Sequence, residues 1–68
     1  MDIDVNTFLE EYFDKTGDIA IFENDFTGDL LFSGVASDIK EDIGIRIVKK
    51  LLWPDGSNIL YMCVLPKW

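Results

Sequence analysis

The chain has 68 residues, a net charge of −7 at pH 7, one cysteine and no histidine. Those features exclude an intramolecular disulfide, a thiol–imidazole pair and any zinc site of Cys/His spacing. The acidic balance argues against direct binding to nucleic-acid phosphates, and no apolar run approaches the ~20 residues of a membrane span.

A chain this short buries only ~60% of its unfolded surface, so its stability has to come from a dense apolar core or from oligomerisation. The 49% hydrophobic content suits both. There is no long linker and no low-complexity run, and residues 1–68 read as a single small domain. The single cysteine and the lack of a signal peptide predict a reducing, cytoplasmic setting. Charge is uneven along the chain. Twelve acidic residues and two lysines precede residue 43, whereas Arg46, Lys49, Lys50 and Lys67 follow it against Asp55 alone.

The first predicted element is a helix. Val5, Phe8, Leu9, Tyr12 and Phe13 recur at helical spacing and form one apolar stripe. Asp4 or Asn6 can cap its N-terminus, and Thr16-Gly17 ends it with Gly17 in a left-handed cap. Glu10, Glu11 and Asp14 then face solvent, and Phe8 and Tyr12 pack on a sheet.

Ile19–Glu23 and Leu30–Val35 follow as a β-hairpin, rich in β-branched and aromatic residues. Asp25-Phe26-Thr27-Gly28 is its turn. Asp suits the first turn position, and Gly28 supplies a left-handed residue. The implied register pairs Asp25 with Asp29, Glu23 with Leu31 and Phe22 with Phe32. Ala20, Phe22, Leu30 and Phe32 then share one face, and Ile19, Ile21, Leu31 and Val35 the other. Both faces are apolar, so each calls for a cover. Phe26 at the turn tip either folds back on neighbouring apolar surface or contacts a partner.

Residues Ala36 to Ile43 predict a short helical turn with Ile39 and Ile43 pointing inward, and Asp38 and Glu41 have capping-box spacing. A second hairpin closes the chain, with strands Ile45–Trp53 and Asn58–Leu65 around Trp53-Pro54-Asp55-Gly56. Pro54 presets φ and Gly56 takes the left-handed site. The implied register pairs Leu51 with Ile59, Lys49 with Tyr61 and Ile47 with Cys63. The order predicts an α+β fold: an N-terminal helix packed on a four-stranded antiparallel sheet made of two hairpins, α-β-β-short helix-β-β.

The acidic turn with Thr27-Gly28, the run Leu30-Leu31-Phe32-Ser33-Gly34 and the turn Asp38-Ile39-Lys40-Glu41-Asp42 resemble a pattern in small proteins of phages and mobile elements of gut bacteria. The resemblance spans roughly residues 18 to 65, and Lys40 stands where those sequences carry proline. It implies no activity, because that family has none assigned, and no functional residue carries over.

The residues offer little chemistry. Glu23-x-Asp25-x-Thr27-Gly28 opens like a calcium loop, but the position that needs a bidentate glutamate holds Gly34. Cys63 sits mid-strand and behaves as a small hydrophobe. No nucleophile has a histidine base, and the glycines mark turns rather than a phosphate loop. The chain therefore reads as a non-enzyme without metal or cofactor. Two functional classes fit. One is a self-associating protein–protein interaction module, a homodimer, with Phe26, Asp25 and Asp29 of the turn and Glu10, Glu11 and Asp14 of the helix as candidate partner contacts. The other is an acidic decoy whose carboxylates imitate nucleic-acid phosphates and so inhibit a DNA- or RNA-binding enzyme.

Overall fold

A computed structural model describes residues 3–13 and 16–66. The elements run α1 (Val5–Tyr12), β1 (Asp18–Glu23), β2 (Leu30–Val35), a 3₁₀ turn (Ala36–Asp38), α2 (Glu41–Gly44), β3 (Val48–Leu52) and β4 (Ile59–Val64). The fold is α+β, with four strands in one open sheet and α1 packed on it.

The sheet is mixed, not all antiparallel. Its order is β2-β1-β4-β3, and the central pair β1 and β4 is parallel. Ile19-Ala20-Ile21-Phe22 and Ile59 to Val64 carry no charge. These two segments take the centre, where neighbours shield them on both sides. The edges go to β2, with Ser33 and Gly34, and to β3, with Lys49 and Lys50. With β1 and β4 parallel, β2 and β3 run in the same direction, so the chain between them returns along the length of the sheet before β3 begins.

Both hairpin registers differ from the sequence reading. In the first, Phe22 pairs with Leu30 and Ile21 with Phe32, and the ladder slips between Ile21 and Phe22. The expected turn forms, with the Gly28 N–H donating to the Asp25 carbonyl at 2.9 Å. The left-handed residue, however, is Asn24 at φ 71°, not Gly28. An Asn tolerates that region through its short polar side chain. The extra residue Leu31 becomes a bulge, and Phe32 moves to the face of Ile19 and Ile21. In the second hairpin Leu51 pairs with Met62, Leu52 with Tyr61 and Lys50 with Cys63. The connection is six residues, Trp53 to Asn58, because the turn starts one residue later, with the Ser57 N–H donating to the Pro54 carbonyl at 3.0 Å. Gly56 does adopt the left-handed conformation, at φ 75°. Ile45 lies outside the strand, and Ile47 pairs with Asp4 instead of Cys63.

The sheet consequently has an inner and an outer face. The inner one joins Ile19, Ile21, Leu60, Met62 and Val64 to Val5 and Leu9 of α1 and to Ala36 in a single buried cluster. Phe8, Phe13, Leu31, Phe32, Ile39, Ile43 and Val48 pack around it. The inward placement of Ile39 and Ile43 is as expected. Their helical turn is two pieces, and Lys40 precedes α2 without a side-chain cap, so the Asp38–Glu41 capping box does not form.

Helix α1 starts where the sequence predicts. Asp4 is extended, and its Oδ1 accepts the Thr7 N–H at 2.7 Å. That backbone bond, then the Thr7 hydroxyl, holds the Asp4 carboxyl below its ordinary value. The helix ends at Tyr12, earlier than Thr16-Gly17, and Phe13 is extended. Leaving the helix brings the Phe13 ring edge-on to Trp53, with centroids 5.7 Å apart. Gly17 is not left-handed, and its carbonyl accepts the Ala36 N–H.

The two loop glycines therefore serve different ends. A Cβ at Gly28 would run into the Glu23 carbonyl oxygen, which already accepts the Asp25 N–H. A Cβ at Gly56 would meet nothing, so only its positive φ opposes a side chain, at about 1–2 kcal/mol. Gly28→Ala should accordingly lower the urea midpoint more than Gly56→Ala. Equal shifts, or the reverse order, would show that the Glu23 carbonyl yields.

Candidate interaction surface

The outer face of the sheet carries Ala20, Phe22, Leu30, Lys50, Leu52, Tyr61 and Cys63, judged by the pairing register. No helix of the described residues lies on it. It is nonetheless covered in its middle by its own side chains. The Phe26 ring returns from the turn onto Phe22 at 6.1 Å, and Phe22 stacks toward Tyr61 at 6.4 Å. Ala20 and Cys63 beneath them are buried. Burial pushes the Cys63 thiol above its ordinary value, the reverse of an activated nucleophile. Phe26 thus takes the folded-back option of the two that the sequence left open.

The candidate contact residues do not form one site. Asp25, Phe26 and Asp29 share the β1–β2 loop. Glu10 and Glu11 are exposed on α1, which packs on the inner face, and Asp14 lies outside the described residues. Asp25 is occupied within its own loop, because its Oδ1 accepts the Thr27 hydroxyl at 2.6 Å and the Thr27 N–H at 2.9 Å. Those two bonds, with the ammoniums of Lys50 and Lys49 nearby, hold the Asp25 carboxyl below its ordinary value.

Apolar exposure concentrates elsewhere. Tyr12 is 66% exposed, Leu51 46%, Leu52 47% and Trp53 56%. They gather along one margin of the sheet, formed by β3 and the C-terminal turn of α1. Tyr12 was expected to pack on the sheet with Phe8. Instead it leans on Phe8 at 5.5 Å and leaves most of its ring in solvent. Between helix and strand runs a groove of about 420 Å³ lined by Ile3, Phe8, Tyr12, Val48, Lys49 and Leu51. Lys49 sends its ammonium away, across β4, to Asn24 Oδ1 at 2.6 Å. Trp53 is held by its Nε1–H, which donates to the Ser57 carbonyl at 3.1 Å.

The chain's own N-terminal segment takes part of the β3 edge. The Val48 N–H donates to the Ile3 carbonyl at 2.8 Å, and the Val5 N–H to the Arg46 carbonyl at 2.9 Å, around the antiparallel bridge of Asp4 with Ile47. Past Val48, no described residue lies beside β3 on that edge. The sequence carried a signal for this margin. Lys49-Lys50 marks an edge strand, and Leu51-Leu52-Trp53 places apolar residues on both sides of it.

Among the described residues, no three His, Cys, Asp or Glu side chains gather as a metal site would require. No helix among them is long and apolar enough to cross a membrane. No family model, curated protein or solved structure matches the chain, so none bears on the resemblance to phage and mobile-element proteins.

The Asp25 carboxyl gives a pH test. A carboxyl held low in the folded state adds stability above its ordinary value of 3.8, and that stability is lost as pH falls through the folded value. Asp25→Asn should lower the thermal midpoint at pH 7, and the gap from the parent protein should narrow as the pH falls below 3.8. A gap that persists unchanged in acid would assign the loss to something other than the carboxylate.

Proposed function

We propose that the protein is a non-catalytic interaction module that associates with itself. The observation that carries this reading is the apolar margin of Tyr12, Leu51, Leu52 and Trp53, exposed together beside a strand edge. Exposed apolar side chains scattered singly need no explanation, but these flank one strand on both sides, Leu51 with Tyr12 on the inner and Leu52 on the outer. A second copy is the simplest occupant, because a two-fold axis buries the same patch on both subunits. A specific interface takes about 800 Å² from each partner, roughly a fifth of the 4425 Å² this chain exposes. One margin of so small a protein reaches that figure only if flanking residues join it.

The acidic decoy has less support. Glu10 and Glu11 lie on the helical side with Glu41 and Asp42, whereas Asp25 and Asp29 lie in the β1–β2 loop, and Asp25 has lysines nearby. Carboxylates imitating a phosphate row would have to run along one surface. The setting that goes with the module reading is the cytoplasm of a cell carrying phage or mobile-element genes.

Light scattering after size exclusion should give a mass that climbs from 7.8 kDa toward twice that as concentration rises from low micromolar to millimolar. Leu51→Ser with Leu52→Ser should move the midpoint of that rise at least tenfold. A mass of 7.8 kDa at every concentration overturns the reading.

A further inference from the structure

The two faces of the sheet are covered by different means. On the inner face the cover is α1 and the crossing from β2 to β3, and backbone hydrogen bonds hold both. The Val5 N–H donates to the Arg46 carbonyl at 2.9 Å, the Val48 N–H to the Ile3 carbonyl at 2.8 Å and the Ala36 N–H to the Gly17 carbonyl at 2.9 Å. Uncovering Ile19, Ile21 or Met62 there breaks such bonds and empties the core. On the outer face the cover is made of side chains. Cys63 and Ala20 are buried beneath the rings of Phe22, Phe26 and Tyr61. Phe22 and Tyr61 stand on the two central strands, whereas Phe26 comes from the β1–β2 loop.

That loop divides into a fixed stem and a self-contained tip. The stem is bonded to the sheet. The Glu23 N–H donates to the Asp29 carbonyl at 2.9 Å, the Asn24 N–H to the Val64 carbonyl at 2.8 Å, and Lys49 Nζ to Asn24 Oδ1 at 2.6 Å. The tip, Asp25 to Gly28, is bonded to itself. The Gly28 N–H donates to the Asp25 carbonyl at 2.9 Å, and Thr27 donates to Asp25 Oδ1 through its N–H and its hydroxyl. The tip meets the sheet through the Phe26 ring, edge-on to Phe22 with centroids 6.1 Å apart. The ammoniums of Lys50 and Lys49 near the Asp25 carboxylate add an attraction that salt screens.

The joint between stem and tip is itself unusual. The Asp25 N–H donates to the Glu23 carbonyl at 2.9 Å across Asn24, whose φ is 71°. A three-residue turn with positive φ at its centre is rare and strained. Backbone strain of this kind gathers at segments that switch. A strained joint thus precedes a tip that keeps its own hydrogen bonds when it moves.

We propose that the tip, Asp25 to Gly28, is a lid on the outer face of the sheet, which opens by lifting the Phe26 ring off Phe22 and uncovers Cys63 and Ala20 while the inner core stays folded. Opening breaks ring contacts and leaves every bond of the stem and of the tip in place. Local openings of this kind cost less than global unfolding.

Cys63 serves as the reporter, because alkylation requires its sulfur to be exposed. The unaltered protein, at low micromolar concentration, is treated with iodoacetamide in native buffer and in rising urea below its unfolding midpoint. Each rate is divided by that of the unfolded chain. The ratio should exceed the unfolded fraction, read from the urea transition, at least tenfold in native buffer, and it should stay level as urea first rises. Phe26→Ala should raise the ratio at least a further tenfold, again level in low urea. A ratio equal to the unfolded fraction, climbing with it in urea, would mean that Cys63 is uncovered only when the whole chain unfolds, and it overturns the lid. A Phe26→Ala rate no higher than that of the unaltered protein overturns it as well. The first outcome needs no variant, so it decides the matter even where Phe26→Ala folds poorly.

Discussion

The parallel contact of β1 with β4 is the constraint on which the rest of this structure depends. It puts Ile19, Ile21, Met62, Cys63 and Val64 at full burial in the centre of a sheet only four strands wide. Strands so placed are shielded along both edges, and the two hairpins become flaps on a common spine. The chain must then pass from β2 at one edge to β3 at the other. It does so over the inner face, and that crossing carries Ala36, Ile39 and Ile43 into the core with α1. Helical cover on one side and none on the other is thus a consequence of topology, not of helix propensity.

A single side chain ties the crossing to the spine. Arg46 Nη2 lies 2.9 Å from Glu23 Oε2 at the end of β1, and it also donates to the Leu65 carbonyl at 2.9 Å just past β4. Its own carbonyl accepts the Val5 N–H that opens α1. The guanidinium is only 11% exposed, and its fork suits one carboxylate and one carbonyl together. Losing the Arg46 side chain would leave Glu23, which points to the inner side, without its counter-charge.

Local chemistry was legible in the sequence, and long-range pairing was not. The apolar spacing of Val5, Phe8 and Leu9 marked α1, Asp4 marked its start, and the turns at Asp25–Gly28 and Gly56 declared both hairpins. Register failed at Asn24 and at Pro54, for one reason. A turn's residues fix its type but not how many residues join it to the strands, and Asn24 could enter the left-handed region without a glycine to announce it. Each slip moved residues to the other face, so Phe32 went inward and Tyr61 outward. Parallel pairing leaves no local trace, since β1 and β4 meet across most of the chain. The exposed apolar margin went unread for a related reason. Charge drew attention to Asp25, Asp29, Glu10 and Glu11, whereas Leu51 and Leu52 are exposed on β3, and whether Leu51 is core or margin depends on strand order.

The outer face and the β3 margin answer the same shortage differently. The short helix α2 lies with the inner-face crossing, and on the outer face Phe26 and Phe22 cap Cys63 and Ala20. At the margin the chain begins a fifth strand with Ile3 and Asp4, which bond to Val48 and pair with Ile47. A backbone hydrogen bond between an edge strand and another strand gains only about 1 kcal/mol net, because water otherwise takes its place. Hydrogen bonds cannot be what drives contact there. Removing Tyr12, Leu51, Leu52 and Trp53 from water can, at roughly 25 cal/mol per Å² of apolar surface. In the self-association proposed above, the apolar side chains would therefore supply the affinity.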